Sequence, residues 1–466
     1  MYPNASDTPN TLEPKPRSLL RLVRAPVLAA LAGLSLTIQA GPLPPPISVN
    51  DFYANANPPA DQVELGKLLF WDKILSGNQD ISCGTCHNPT SGTGDGLSLG
   101  LGTGSEGHGM MRTTIHLPPT DSRARGRIVR NALPLYNLGW EGFEVFQWDG
   151  DLIVDPSEPT GFVNPLGNSF PTGFQNPLAA HNFLPPAQPR EMAGIDPANP
   201  IAALGLAQDM LGVWDAYTAR LAAIPEYVDL FRSVYSDVNQ GSDITVVHVT
   251  NSLAAYQIKH FTSVNSRFDT YLRGNRGALT GQERRGADLF YGKAGCDTCH
   301  SGPLLTDQDF HAISIPQIGP GRQFGFGGVD NGRMRNSGRL ADQYKYRTPS
   351  LRNVALTAPY GHDGAYDTLE AVVRHHLNPV VSLNGYNTDE AVLPDSDRMG
   401  DLDFVEHNNA GARADRASQN ELDPVALTAR ELRDLMSFLQ TLTDPAMLDK
   451  RDAIPKRVPS GLPVFD

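Results

Sequence analysis

Cys83-Gly-Thr-Cys86-His87 and Cys296-Asp-Thr-Cys299-His300 are two copies of one pentapeptide, and together they contain all four cysteines of the 466-residue chain. Cys-x-x-Cys-His is the attachment signature of c-type haem. In such a site the two thiols bond covalently to the porphyrin, and the adjacent imidazole binds the iron. Two copies with no cysteine left over therefore predict two covalently bound c-type haems.

Three other uses of these cysteines fit the pattern less well. A zinc site made from both pairs does not need a histidine directly after each pair. A thioredoxin-like dithiol is expected once, within a βαβ pattern, and the sequence has no such pattern. Structural disulfides stay open in an oxidising compartment, although a Cys-x-x-Cys loop has a poor geometry for one.

Residues 1–40 have the pattern of an export signal. Three arginines between positions 17 and 24 form a positive region, and the uncharged apolar stretch from Ala25 to Ala40 ends at a small-residue cleavage site. A membrane anchor is the alternative, but this stretch is shorter than the roughly twenty residues that a spanning helix needs. Because c-type haem is attached on the outer side of the bacterial inner membrane, we expect a periplasmic protein with its signal peptide cleaved near Ala40.

The chain is acidic and rich in residues that interrupt regular structure. Its formal net charge is −13, and residues 1–40 carry four basic and two acidic side chains, so the remainder has a net charge near −15. This acidity argues against nucleic-acid binding and is compatible with solubility alone or with attraction of a basic electron carrier. The 44 glycines and 38 prolines favour short helices joined by long irregular loops. The predicted fold class is therefore mainly α.

Short motifs recur in the same order around both pentapeptides. They are Gly66–Phe70 with Gly286–Phe290 before the pentapeptides, and Trp148–Gly150 with His362–Gly364 after them. Common descent of two haem domains explains these echoes. We predict cytochrome c-like domains at residues 41–240 and 241–466, with a Pro/Gly-rich, irregular insertion at about 155–200.

Two helix starts of the second domain are marked by capping boxes, Thr280-Gly-Gln-Glu283 and Thr428-Ala-Arg-Glu431. The helix after the second box keeps one face apolar through Leu432, Leu435, Met436, Leu439 and Leu442. In a cytochrome c-like unit we expect this C-terminal helix to pack on the helix that precedes the haem motif.

From about Val63 to Leu442 the chain resembles the bacterial di-haem cytochrome c peroxidases, a superfamily shared with the MauG-like proteins that mature the tryptophan-derived cofactor of methylamine dehydrogenase. The matching segments are Ile81–His87, Ile224–Tyr227, Lys293–Pro303, Thr348–Asn353 and Leu356–Gly364. The resemblance implies reduction of hydrogen peroxide to water with electrons from a small donor protein, a c-type cytochrome or a cupredoxin. The alternatives are a MauG-like enzyme that oxidises residues of a partner protein and a non-catalytic di-haem electron carrier. A homodimer stays open.

The resemblance also assigns iron ligands. His87 and His300 are the proximal ligands, and peroxide binds at the N-terminal haem, whose other ligand must be able to leave. His108, which lies between two glycines, resembles the family's detachable histidine. Met110 or Met111 as the ligand, or His108 as a solvated loop histidine, are the alternatives.

Two further residues match catalytic positions of the family. Glu191 resembles the glutamate that moves a proton from the near to the far peroxide oxygen, although a carboxylate at a helix start is the plainer interpretation. Trp148 resembles the tryptophan that helps electrons cross between the haems, and a core tryptophan is its alternative.

The second axial ligand of the C-terminal haem maps to His376, with His375 as its neighbour and rival. Most peroxidases of the family carry Met at this position, and the MauG-like relatives carry Tyr. Two imidazoles lower the haem potential relative to a thioether ligand, which puts the usual electron donor in doubt. A surface His-His pair is the alternative, and Met399 is too isolated to compete.

The family's calcium site uses an asparagine side chain and two backbone carbonyls, which map to Asn131, Thr357 and Pro359. Ligands that are all oxygen suit Ca²⁺. Asn131 can equally cap a turn. The resemblance therefore implies a calcium ion between the two predicted domains.

Overall fold

The computed structural model describes residues 41–107, 109, 112–114, 127–319, 321, 328–394 and 403–465. The predicted export signal at residues 1–40 and the candidate ligands His108, Met110, Met111 and Met399 lie outside the described residues.

Helices dominate the regular structure, and most of them are short, as the Gly and Pro content predicts. In chain order they are α1 Ala60–Trp71, α2 Cys83–Cys86, α3 Pro177–His181, α4 Pro200–Leu206, α5 Met210–Ala222, α6 Pro225–Val234, α7 Ser236–Asn239, α8 Val246–Phe261, α9 Arg267–Leu272, α10 Gly281–Phe290, α11 Met334–Ser337, α12 Leu369–Leu377, α13 Pro379–Asn384, α14 Val405–Asn408, α15 Ala410–Ser418 and α16 Ala429–Gln440. The mainly-α prediction is confirmed. Within the described ranges no helix is both long and apolar enough to cross a membrane.

The strands are two or three residues long and pair only with antiparallel neighbours. They are β1 Ser105–Glu106, β2 Thr113–Thr114, β3 Val145–Phe146, β4 Leu152–Val154, β5 Phe162–Val163, β6 Phe310–His311 and β7 Tyr346–Arg347. Their orders are β1-β2, β3-β4-β5 and β6-β7. These hairpins fix loops in place rather than form a layer of the fold.

Two close helix crossings organise the protein. Helix α1 packs on α8, and α10 packs on α16. A Cβ atom at Gly66 of α1 would collide with the carbonyl oxygen of Ser252 in α8, and one at Gly286 of α10 would collide with that of Asp434 in α16. Glycine is therefore required where each pair of backbones meets, which gives the repeated Gly66–Phe70 and Gly286–Phe290 motifs a common physical purpose.

The predicted helix starts of the second crossing are confirmed. The Thr280 side chain accepts a hydrogen bond from the Glu283 N–H, and the Thr428 side chain accepts one from the Glu431 N–H. The C-terminal helix packs on the helix before the second pentapeptide, as expected. Four of the five predicted apolar-face residues are buried and Met436 is partly buried.

The apolar core has two clusters, and their limits differ from the predicted domain boundary. Helix α8 lies in the first cluster, because its apolar face covers α1, whereas a boundary at residue 240 assigns it to the second domain. Met447, Ala453 and Val458 of the C-terminal tail also return to the first cluster. The segment at 155–200 is only partly irregular, because it contains β5 and α3.

The Trp148–Gly150 and His362–Gly364 motifs form equivalent turns. Gly150 has φ +69° and Gly364 has φ +68°, values that favour glycine. A Cβ atom at Gly150 would meet the ring of Phe310, and one at Gly364 would meet the backbone of Ser98. Each turn therefore faces the other half of the chain, as the repeat predicts.

Candidate haem sites

The first pentapeptide lines a large cavity. Its empty space is about 1160 Å³, including the open mouth. Cys83, Cys86 and His87 come from one segment of its wall, and residues 181–192 form another. Apolar side chains complete the lining, among them Phe70, Ile81, Leu135, Phe143, Phe146 and Leu253. A wide, mostly apolar cavity that holds both thiols and the imidazole fits a porphyrin attached to this motif.

Both proximal histidines are oriented in the same way. The His87 Nδ1 atom lies 3.1 Å from the carbonyl oxygen of Thr93, and the His300 Nδ1 atom lies 3.1 Å from that of Leu305. Thr93 and Leu305 both have positive φ, which turns their carbonyls back towards the rings. A histidine that donates its Nδ1–H to a carbonyl presents Nε2 to a metal.

Burial keeps these histidines neutral. It lowers the pKa of His87, and it lowers the pKa of His300 to about 4 with a smaller contribution from His376. A neutral imidazole is the form that ligates iron. The residues present therefore fit c-type haem at both sites.

No disulfide joins the four cysteines. The disulfide alternative does not hold in this structure.

His376, not His375, faces the second proximal histidine. The ring centres of His300 and His376 are 6.4 Å apart. Two imidazole–metal bonds of about 2.0–2.1 Å, with the distance from each nitrogen to its ring centre, span about 6 Å. The gap therefore fits one iron atom between the two rings.

Both ring nitrogens of His375 are already used by the protein. Its Nε2 atom lies 2.7 Å from the carbonyl oxygen of Ile313, and its Nδ1 atom lies 2.8 Å from the hydroxyl of Tyr366. His376 instead uses Nδ1 for the carbonyl of Val372, at 2.8 Å, and keeps Nε2 for a ligand. The geometry favours His376 as the ligand and gives His375 a structural place.

Glu191 lines the first cavity together with the pentapeptide. It sits in a wide turn of residues 189–193, and its carbonyl accepts the Thr103 N–H at 3.0 Å, which holds the turn against the loop at 102–103. A second cavity, with about 740 Å³ of empty space, is also lined by Glu191 and shares Ile128 with the first. Glu191 therefore lies where the two cavities meet.

Trp148 lies between the two halves of the chain. Its Nε1–H donates to the carbonyl oxygen of Asn131 at 3.0 Å, and its own carbonyl accepts the N–H of Arg347, in β7 of the second half, at 2.8 Å. The side chain is buried. This position is compatible with the predicted electron relay and equally with a core tryptophan.

Known proteins resemble this chain over most of its length. The family model of the di-haem cytochrome c peroxidases matches residues 60–277. The chain is 29% identical over 398 residues to the methylamine utilization protein MauG of Methylorubrum extorquens, which covers 85% of this chain and 82% of that protein. It is 27% identical over 446 residues to the cytochrome-c peroxidase IdrP2 of Denitromonas iodatirespirans, with coverages of 92% and 93%. The crystal structure of a MauG-like protein associated with microbial copper homeostasis aligns at 26% identity and a TM-score of 0.55, covering 91% of this chain and 98% of that one.

The chain belongs to the di-haem cytochrome c peroxidase family. It is thus an oxidoreductase of the cytochrome-c peroxidase type, and the family implies two c-type haems.

Of the three predicted calcium ligands, Asn131 has contacts that bear on the prediction. The Asn131 side chain donates to the carbonyls of Leu97 and Ser98 at 2.8 and 3.2 Å, which leaves its Oδ1 atom outside these bonds. The Asn131 N–H donates to the carbonyl of His362, near Thr357 and Pro359 in sequence. A calcium site at these three residues remains a prediction.

Two cavity residues of this peroxidase relative were missed by sequence reasoning. Asp95 is buried, its Oδ2 atom has no hydrogen-bond partner in the described part of the chain, and burial raises its pKa to about 6. His181 also lines the cavity. Asp95 lies in a Gly-rich loop and His181 in a segment predicted to be irregular, so no motif marked either residue.

Proposed function

We propose that the protein reduces hydrogen peroxide to water in the periplasm, with electrons from a small redox protein such as a c-type cytochrome or a cupredoxin. The observation that carries the proposal is the position of Glu191 in the same cavity as Cys83, Cys86 and His87. In the net reaction one peroxide takes up two electrons and two protons and leaves as two water molecules. Binding and proton transfer are the parts that this chain's own residues perform.

The haem of the first half, when bound, supplies the iron that holds peroxide and the electrons that break its O–O bond. Glu191 would accept the proton from the peroxide oxygen nearer the iron and return it to the far oxygen, which then leaves as water. Its place between two cavities supports this task, because the second cavity would give peroxide and protons a route to the carboxylate.

The second half would receive electrons and pass them on. The His300 and His376 rings are spaced to hold one iron from both sides, which suits electron transfer rather than substrate binding. Trp148, between the halves, would shorten the step from one haem to the other. The detachable ligand His108 stays part of the proposal as a prediction, because it lies outside the described residues.

Substitution of Glu191 tests the proposal. In haem-loaded, half-reduced protein, Glu191→Gln should lower kcat/KM for peroxide by about 10²–10⁴-fold, the usual contribution of a general base. Glu64→Gln, at a solvent-facing position of α1, is the control and should leave the rate unchanged. Steady-state peroxide consumption with a reduced cytochrome donor is the measurement. Equal rates for both variants would contradict the role of Glu191, and the absence of peroxide consumption by the unchanged protein would contradict the proposed function.

A MauG-like activity on a partner protein is the second candidate. Two observations favour it: the imidazole of His376 stands where most peroxidases of the family carry a thioether, and the MauG protein of M. extorquens is among the relatives. This candidate predicts cross-links or oxidised residues on a protein partner after peroxide is added, together with slow peroxide turnover. A plain electron carrier predicts six-coordinate irons in every redox state and no effect of Glu191→Gln.

A further inference from the structure

His181 is a buried imidazole with an unused nitrogen inside the first cavity. It is the last residue of α3, its side chain is 8% exposed, and its Nδ1 atom has no hydrogen-bond partner among the described residues. Its ring stacks on Phe146, with ring centres 5.0 Å apart and an interplanar angle of 27°. A buried polar atom of this kind normally has a hydrogen-bond partner. The unused hydrogen-bonding capacity of Nδ1 therefore points to a ligand of the cavity.

His181 and Glu191 belong to one wall of the cavity. Both come from the segment between Pro177 and Ala193, which also contributes Pro185 and Pro186, whereas His87 comes from the pentapeptide segment. A porphyrin attached to the pentapeptide would therefore share its cavity with His181 and Glu191.

The neighbours of His181 make that wall polar. Asn182 Oδ1 accepts a hydrogen bond of 2.9 Å from Gln257 Nε2, and the other amide atoms of both side chains, Asn182 Nδ2 and Gln257 Oε1, are buried without a hydrogen-bond partner in the described part of the chain. Three unused polar groups thus belong to residues that line the same cavity as Glu191. A small polar substrate would satisfy them, whereas an apolar one would leave them unpaired.

We propose that His181 is a second substrate-binding residue of this cavity, and that its imidazole hydrogen-bonds the bound peroxide beside Glu191. The inference rests on the proposed peroxidase function. A neutral imidazole offers one donor and one acceptor, which matches the donor and acceptor atoms of hydrogen peroxide. Glu191 moves the proton and His181 holds the substrate in line with it.

The electrostatic environment agrees with a neutral role. Burial, and next the nearby His87, lower the pKa of His181 to about 3. The ring is therefore uncharged at neutral pH, and peroxide meets a hydrogen-bonding group rather than a competing cation.

The test replaces the ring nitrogens and measures ligand affinity as well as turnover. His181→Phe keeps the stack on Phe146 without a nitrogen, and His181→Gln restores a donor. His407→Leu is the matched control, because His407 is likewise buried with an unpartnered Nδ1 atom but lies outside the cavity. Fluoride is titrated into the haem-loaded, half-reduced protein, where it binds the open iron and accepts hydrogen bonds from neighbouring groups.

His181→Phe should bind fluoride about 10- to 100-fold more weakly and raise KM for peroxide, as expected for a lost hydrogen bond to an anion. His181→Gln should recover most of the affinity, and His407→Leu should match the unchanged protein. Unchanged fluoride affinity in His181→Phe overturns the proposal. So does loss of the six-coordinate spectrum of the oxidised first haem, because that result makes His181 an iron ligand.

Fluoride affinity does not depend on peroxide turnover, so this readout separates the two proposals. If the haem-loaded, half-reduced protein consumes no peroxide while His181→Phe weakens fluoride binding, the peroxidase function fails and the place of His181 stands. If His181→Phe does not load haem, fluoride affinity is measured on His181→Leu instead, which should also bind fluoride more weakly than the unchanged protein.

Discussion

The two halves of this protein share one frame and differ at the face opposite the proximal histidine. Each half has a glycine at a close helix crossing and a histidine whose Nδ1 atom lies 3.1 Å from a carbonyl. In the first half His87 shares an open cavity with Glu191 and His181. In the second half His376 lies 6.4 Å from the proximal ring. A repeated fold can therefore acquire two different chemistries by changing what covers one side of the cofactor.

The residues near the two proximal histidines come from different kinds of segment. In the second half α12 begins at the capping residue Thr368, and its last turn carries His376 to the ligand position. In the first half the wall is built from α3 and tight turns within residues 177–193. A helix gives a ligand a fixed place, and the turns leave room for a substrate.

The largest expected effect sharpens the contrast in iron ligation. His376→Met should raise the potential of the second haem by on the order of 0.1 V or more, because thioether ligation favours the reduced iron and axial ligands span about 0.8 V. Spectroelectrochemical titration measures the change. His375→Gln is the control and should keep the potential near its starting value, since both nitrogens of His375 bond to protein groups. A shift in the control but not in His376→Met would reverse the assignment.

A smaller effect is expected when the glycine at either helix crossing is replaced. Gly66→Ala and Gly286→Ala each place a methyl group against the backbone of the facing helix, and each should lower the free energy of unfolding by about 1–3 kcal/mol. Urea unfolding measures the loss. Gly281→Ala, at the open start of α10, is the matched control and should be neutral or stabilising. If all three variants unfold at the same urea concentration, the crossings are not close enough to require glycine.

A pH-dependent effect on stability distinguishes the two Asp-Gly turns. Asp149 pairs with Arg130 at 3.3 Å, whereas Asp363 accepts the Ile318 N–H and has no partner for Oδ1 among the described residues. Burial raises the pKa of Asp363 from 3.8 to about 7. The folded state therefore binds the proton more tightly, and stability should fall as the pH rises from about 4 to about 7, by at most about 1.4 kcal/mol per pH unit.

Asp363→Asn should remove this slope, because the amide does not titrate. Urea midpoints measured across the pH range report the slope directly. Asp149→Asn is the comparison variant, and it should keep the slope whatever it does to the overall stability. A slope that survives in Asp363→Asn would place the titrating group elsewhere.

Local sequence patterns predicted much of the frame. The capping boxes at Thr280 and Thr428, the crossing of the last helix on the helix before the second pentapeptide, and the facing Asp-Gly turns are all found in the structure. Each depends on neighbours in sequence or on a motif repeated in the chain. The boundary at residue 240 stays a prediction, and the packing of α8 on α1, which joins segments about 190 residues apart, is a long-range contact that no local pattern indicates.

The site residues show the same difference between what local sequence predicts and what long-range packing decides. The choice between His375 and His376 depends on Tyr366 and on the Ile313 carbonyl, which tertiary packing brings to His375. His181 had no motif around it, because the segment that carries it looks irregular in sequence and its significance lies in what surrounds it. A sequence can thus mark where a cofactor is attached, while the contents of the space around that cofactor emerge only from long-range contacts.

The peptide of Asn131 is gripped from both sides. Its N–H is held by the carbonyl of His362, and its carbonyl is held by the indole of Trp148. The Asn131 peptide therefore links the His362 turn of the second half directly to the Trp148 indole of the first. If Trp148 relays electrons as proposed, a displacement of the His362 turn would reach the relay through a single peptide group.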